Sequence, residues 1–283
     1  MQFFICNFAV DLQTSRNMLI NFSIQNFGSI KDKQTLSFEA EKSQHLENYY
    51  VIHINGLRLL KLALIYGANA SGKTMILEAL QFLGRIVLMP QEQKTQPLNF
   101  EPFLFDSNTP KQNTVLTVDF IQNNIRYLYE VEFNKIAIIR ESLSYANKPN
   151  STKRTVNVFE RTTDFDKQLT NIFFNPKINI DDVYAKALSA NTLWNNTVLG
   201  GFLRTNIELK ELTDVTNWFK EYLNPLIFAD TKLDIYITKW IDEGLINKIA
   251  VLDILRKADF YLSDILIKKE NKDLEFEHTI KGK

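Results

Sequence analysis

Residues Gly67 to Thr74 read G-A-N-A-S-G-K-T, and this octet dictates where a strand must end and a helix must begin. It fits the phosphate-loop pattern G-x-x-x-x-G-K-[ST], which carries meaning only between those two elements. Both flanks fit. Leu62-Ala63-Leu64-Ile65-Tyr66 is a short apolar run that reads as a buried strand. From Lys73 onward, Ile76, Leu77, Leu80, Leu83 and Val87 recur at helical spacing, and Pro90 marks the stop.

Each position of the octet has a physical task. Gly67 and Gly72 reach backbone angles that a Cβ forbids and let the chain approach a phosphate closely. The N–H groups of Asn69, Ala70, Ser71, Gly72 and Lys73 can form an anion nest, and the positive end of the following helix adds to it. Lys73 reaches the outer phosphates, and the Thr74 hydroxyl is the expected Mg²⁺ ligand. Gly67, Ala68, Asn69, Ala70, Ser71, Gly72, Lys73 and Thr74 are therefore the candidate nucleotide-binding residues.

Composition bounds the rest. A chain of 283 residues, 45% hydrophobic and 23% charged, suits a globular protein of one large domain or two small ones. Lys+Arg and Asp+Glu both number 33, so the charge balance gives no support for a nucleic-acid surface beyond a local patch. The single cysteine, Cys6, excludes an intrachain disulfide and suits a reducing, cytoplasmic setting. No run approaches 18 apolar residues, so no membrane span is expected.

Along the chain, residues 1–17 read as a leader, either over-extended or unstructured. Met18-Leu19-Ile20 opens a strand-like run, and Thr35 to Glu39 alternates again. Residues 41–50 read as loop. A polar stretch with Pro90, Pro97, Pro102 and Pro110 then crosses the surface. Residues 114 to 145 predict an antiparallel meander with turns at Gln122-Asn123-Asn124 and Asn134-Lys135, and Val156 to Glu160 adds a further strand. Residues 147–154 read as an exposed loop. Beyond about 165 the period turns helical. Leu209, Leu212, Thr216, Phe219 and Leu223 form one stripe; Leu245, Ile249, Leu252, Leu255 and Ala258 form another. Both are expected to pack into a core. Residues 262–268 and 273–280 close as two short strands.

A hydrolase would also need an acid at the end of an apolar strand to assist Mg²⁺. Asp119, Asp230 and Asp253 each follow an apolar run, but none carries a glutamate after it, and a solvated or capping role is the plainer reading. His45, His53 and His278 have no zinc-ligand spacing. Lys148, Lys153 and Arg154 read as a solvated cluster.

Met18-Leu19-Ile20-Asn21-Phe22-Ser23-Ile24-Gln25-Asn26-Phe27-Gly28-Ser29, then Leu36-Ser37-Phe38, resembles the opening of the RecF/SMC/ABC-type ATPases. The octet, with Asn69 inside it, is similar to theirs. Glu101-Pro102-Phe103-Leu104-Phe105-Asp106 and Ala190-Asn191-Thr192-Leu193-Trp194 look similar to the AAA15/AAA_21 group of bacterial ATP-binding proteins, which includes abortive-infection and anti-phage ATPases. The resemblance covers about 18 to 270. It implies an α/β P-loop NTPase fold: an ABC/RecF-type head whose N-terminal lobe carries an antiparallel β subdomain, plus a helical insertion. It also implies ATP and Mg²⁺ as cofactors. ATP-driven closure then acts on a homodimer or on a partner effector, in bacterial defence or DNA maintenance.

The resemblance fails at the far end. The Ser/Gly-rich signature, the paired acids and the switch histidine of that class are not found before Lys283. The chain is therefore expected to be truncated, or to take its remaining lobe from another polypeptide, and nucleotide binding is better supported than turnover. The expected layout is 1–17 leader, 18–163 nucleotide-binding lobe with meander, 164–262 helical subdomain, and 263–283 the start of a C-terminal lobe. The alternative is a non-hydrolysing nucleotide-binding fragment. A GTPase is the lesser alternative, because Asn147-Lys148-Pro149-Asn150 puts Asn where a base-reading Asp would be needed.

Overall fold

The computed structural model describes residues 4–7, 17–68, 71–146, 155–223, 226–227, 233–257, 262–267 and 274–278. The chain divides into two compact units, 1–226 and 227–283.

In the first unit, strands β1 (Phe4–Asn7), β2 (Met18–Gln25) and β3 (Gln34–Ser37) precede a one-turn helix α1 (Glu47–Tyr50). β4 (Val51–Ile54), β5 (Leu57–Leu60) and β6 (Leu62–Ile65) follow, then the 16-residue helix α2 (Lys73–Leu88). The meander consists of β7 (Thr114–Gln122), β8 (Ile125–Phe133), β9 (Ile138–Ala146), β10 (Thr155–Asp164) and β11 (Leu169–Phe174). Helices α3 (Asp182–Asn191), α4 (Val198–Phe202) and α5 (Lys210–Glu221) complete the unit.

The meander joins β2 and β3 in one seven-stranded sheet of order β11-β10-β9-β8-β7-β2-β3. Every pairing in it is antiparallel. Its tight turns follow from asparagine. Asn123 and Asn124 sit at φ 51° and 64°, the doubly positive geometry that a two-residue hairpin turn requires. Asn55 and Gly56 do the same between β4 and β5, at φ 53° and 76°.

Alternation, shifted by one residue at an irregularity between Leu19 and Asn21, fixes which side chains meet the core. From β2, Leu19, Phe22 and Ile24 enter the main cluster, while Met18 and Ile20 point to a second cluster with Ile54, Leu59 and Ile121. The β4–β5 hairpin thus covers one end of the far face. The near face takes α2, whose Leu77, Leu80, Leu83 and Val87 are buried. Phe27, Phe82, Phe100 and Phe133 meet there at ring separations of 4.8 to 5.8 Å. Gly84 lets α2 approach α5's end closely, since a Cβ there would lie 2.8 Å from Leu223. Trp218 of α5 lies 4.3 Å from Phe120.

The second unit contains α6 (Leu233–Asp242), α7 (Lys248–Lys257), β12 (Leu262–Ile267) and β13 (Leu274–His278). β12 and β13 form an antiparallel hairpin. Leu252, Leu262 and Ile265 make its small core, and Lys248 pairs with Asp264 at 2.8 Å.

Several expectations shift. Phe4–Asn7, within the leader, forms a strand against β6. Residues 47–50, expected as loop, make a helical turn. The helical period expected from 165 begins at Asp182, because Leu169–Phe174 first returns as β11 beside β10. The α5 stripe is core: Leu209, Leu212, Thr216 and Phe219 are buried. The α7 stripe is not, since only Leu252 of its described members is buried while Leu245 and Ile249 are more than 60% exposed. A unit this small has too little surface to bury both flanks of a helix. Residues 147–154 and Ala258 lie outside the described residues.

Candidate functional site

The octet lies between a strand and a helix as expected, but that strand is not the buried one expected: β6 has no fully buried residue, and Leu64 is 56% exposed. β6 ends at Ile65, and α2 starts at Lys73 with Gly72 as its cap. Gly72 has φ 85°, a left-handed conformation that a side chain would strain. A Cβ there would also lie 3.0 Å from the Ser29 hydroxyl. Glycine at 72 is thus favoured by its left-handed conformation, and a side chain there would also crowd the Ser29 hydroxyl.

Lys73 is 7% exposed, and its ammonium donates to the carbonyls of Gly67 (3.0 Å) and Ala68 (2.7 Å). These are charge–dipole bonds across the loop, and they keep a buried cation satisfied. The Ser71 N–H donates to Ala68 at 3.3 Å, tightening the same turn. Gly67, Ala68 and Ser71 are exposed, and Thr74 is half-buried at the first turn of α2. Asn69 and Ala70 lie outside the described residues.

Beside the loop opens a cleft of about 530 Å³, with Ser71, Gly72 and Ile76 on one side. Ser29, Ile30, Lys31 and Asp32 form another wall, and Leu64 and Tyr66 of the β6 end a third. Its size lies within the range of small-molecule sites. Its mixed polar and apolar walls suit a molecule with a charged and a flat end. A larger cleft of about 730 Å³ runs along the other flank of α2, past Met75, Phe82 and Arg85. No octet residue lines it, so volume alone does not mark the site.

The 26–31 turn is itself held firmly. The Asn26 amide donates to the carbonyls of Thr109 and Gln112, both at 2.9 Å, and its oxygen accepts from the Phe103 N–H at 2.9 Å. Gly28 N–H donates to Glu101 at 2.8 Å. Lys31 pairs with Asp106 at 2.8 Å. This pairing and the Thr109 hydrogen bonds hold the Asp106 carboxyl well below the usual carboxylate range. Lys31, Asp106 and Asn26 carried no sequence signal as a group, because 75 residues or more separate the partners.

The acids considered as metal ligands fall elsewhere. Asp119, buried on β7, takes a two-pronged contact from Arg126, at 2.8 and 2.5 Å. Asp253 is exposed on α7 near Arg256, at 3.7 Å. Asp230 lies outside the described residues. His53 bonds to Glu47 at 2.9 Å. Among the described residues no group of three or more His, Cys, Asp or Glu is placed to hold a metal.

Glu141 was not foreseen. It is 2% exposed on β9 and accepts from Tyr129 Oη (2.8 Å) and from the Val198 N–H on both oxygens (3.0 and 2.8 Å). Burial pushes its carboxyl up to about 7, opposed by Arg161. Burial lowers Arg161 to about 10. This group caps α4 from the sheet and takes no part in the cleft.

A family model described as "AAA domain, putative AbiEii toxin, Type IV TA system" matches residues 62–226, more than half of the chain. The matched span begins at β6 and contains the octet, α2, the meander and α3 to α5. No curated protein matches the chain. Among the described residues no helix is long and apolar enough to cross a membrane.

Proposed function

Since the chain belongs to the AAA_21 family of AAA domains, a nucleotide-binding ATPase family, we propose that its octet binds ATP with Mg²⁺ in the cleft beside α2. One observation carries this reading: Lys73 is buried at the start of α2, and among the described residues its ammonium bonds to carbonyls of its own loop. A phosphate oxygen is a stronger acceptor for an ammonium than a neutral carbonyl, so Lys73 can move from loop to ligand without crossing the core. The N–H groups of Ser71, Gly72 and Lys73 then face the phosphates at a helix N-terminus. Thr74 would hold the Mg²⁺ ion, which would offset the charge of the outer phosphates. Leu64, Tyr66 and Ile30 offer apolar surface to the base.

Turnover is a further step. It needs an acid and a positioned water near the outer phosphate. Asp119, engaged by Arg126 across the β7–β8 pair, does not supply that acid. The reading is therefore ATP binding by this chain, with hydrolysis completed against a second copy or a partner effector. The family's description as a putative toxin of a toxin–antitoxin system favours a defence setting over DNA maintenance.

The test is a calorimetric titration of ATP with Mg²⁺ against the chain and against Lys73→Ala, followed by a hydrolysis assay. Binding that depends on Lys73, without turnover, supports the reading. Equal affinity in the two proteins refutes the site. Turnover by the chain alone, lost in Lys73→Ala, keeps the site and removes the need for a partner. Thr74→Ala should weaken ATP binding in Mg²⁺ and leave it nearly unchanged in a chelator.

A further inference from the structure

Lys31 occupies two settings at once. Its side chain lines the cleft that also holds Ser71 and Gly72, and its ammonium lies 2.8 Å from Asp106 on the segment outside. The side chain is 48% exposed and on a flexible stem, so it has room to swing. Asp106 is fixed independently of it. Asp106 Oδ1 accepts from the N–H groups of Asn108 (2.9 Å) and Thr109 (2.6 Å), and Oδ2 from the Thr109 hydroxyl (2.6 Å). Removing Lys31 therefore leaves Asp106 in place and hydrogen-bonded.

We propose that Lys31 is a second cationic contact for the phosphates of the bound nucleotide, and that Asp106 competes with the nucleotide for it. This inference rests on the phosphate-loop reading above. The backbone supports it. Asn26 and Gly28 tie the 26–31 turn to residues 101–112 on one side, while Ser29 and Lys31 line the same cleft as Ser71 and Gly72 on the other. The Lys31 backbone is thus held at the rim of that cleft, while its ammonium is free to choose an anion. An exposed ion pair is weak, and a polyphosphate carries more charge than one carboxylate. The exchange runs toward the nucleotide.

The competition has a sign that a structural role does not share. Removing either partner of a purely structural pair lowers affinity or leaves it alone. In a competition the two substitutions act oppositely. Titration of ATP with Mg²⁺ into Lys31→Met should show about five- to tenfold weaker binding, with Lys31→Arg close to the parent. Asp106→Asn should bind about two- to fivefold tighter, because the amide keeps the Asn108 and Thr109 bonds and releases Lys31. Lys31→Met with Asp106→Asn should match Lys31→Met alone. Where Asp106→Asn lowers the melting midpoint, Asp106→Ser is measured in its place. Weaker or unchanged binding by the folded Asp106 variants overturns the competition, and unchanged binding by Lys31→Met overturns the contact. Lys73→Ala in the same series separates the two levels. If it binds like the parent, the phosphate-loop reading fails. If it loses binding while the Lys31 and Asp106 variants behave alike, only the present inference fails.

Discussion

The β meander and the phosphate-loop flank treat charge in opposite ways. In the meander, buried ions are locked to partners from other elements. Asp119 meets Arg126 across the β7–β8 pair, and Glu141 meets Tyr129 and the start of α4. Arg161 donates to the carbonyls of Ile138 and Trp194, at 2.5 and 2.8 Å. In the loop flank, Lys73 bonds, among the described residues, to its own loop, and Leu64 and Tyr66 stand 56% and 75% exposed. Where the ion is buried, partners drawn from distant elements make it part of the fold. Partners drawn from the same turn leave it available to a ligand. Substitutions on the two sides should therefore separate stability from binding.

The largest effect is expected on the meander side. Phe133 is fully buried, stacks 5.2 Å from Phe82 and meets Phe100 edge-to-face at 4.8 Å. Phe133→Ala should cost about 3–5 kcal/mol of stability, the usual range for a buried aromatic. Urea denaturation measures it. A loss under about 1 kcal/mol would mean that the core is not packed as described, and the contrast would collapse. On the loop side, Lys73→Ala should reverse the pattern. It removes two charge-assisted contacts to phosphate, about 2–4 kcal/mol of binding, or a loss of about 30- to 1000-fold in ATP affinity. Its unfolding midpoint should stay close to the parent, because the two carbonyls it leaves lie in an exposed turn.

Titration sharpens the contrast. Glu141 has a folded pKa raised to about 7 from an ordinary value of 4.5, chiefly by burial. A raised acid binds more protons folded than unfolded between these values, so its stabilising effect is complete below 4.5 and fades as pH rises through 7. Stability should thus fall by up to about 3 kcal/mol between pH 4.5 and 7 from this group. Glu141→Gln should flatten that slope. A parent stability that rises over the same window and is unchanged by Glu141→Gln would show that Arg161 and the α4 N–H outweigh burial, with the carboxylate ionised throughout.

The octet was legible because its chemistry is local: eight consecutive residues specify a glycine turn and a helix start. The meander was legible for a related reason, alternation along each strand with asparagine turns between. The β4–β5 hairpin carries its signal too, Asn55-Gly56 between apolar runs. What no local pattern could give is pairing at a distance. Glu141 faces the start of α4, 57 residues on, because β9 lies beneath that helix's first turn. Lys31 finds Asp106 because the Asn26 amide gathers residues 103, 109 and 112 around one turn. The α7 stripe failed for the converse reason. Its period is real, but the second unit buries only Leu252 of it among the described residues.

The smallest predicted effect on stability tests the loop side of the contrast most directly. Tyr66 ends the run before the octet, is 75% exposed and lines the cleft. Tyr66→Ser should change stability by less than about 0.5 kcal/mol, as expected for a surface position. If the base of the nucleotide rests on this wall, ATP affinity should fall by about three- to tenfold through lost apolar contact. The loss should be the same with ADP, since the base is common to both. A destabilised Tyr66→Ser would show that this ring belongs to the fold rather than to the cleft. Unchanged affinity with unchanged stability would move the base to the wall formed by Ile30 and Lys31. The proposed Lys31 contact would then compete with the base for space, and Lys31→Met would have to be read beside Ile30→Ala.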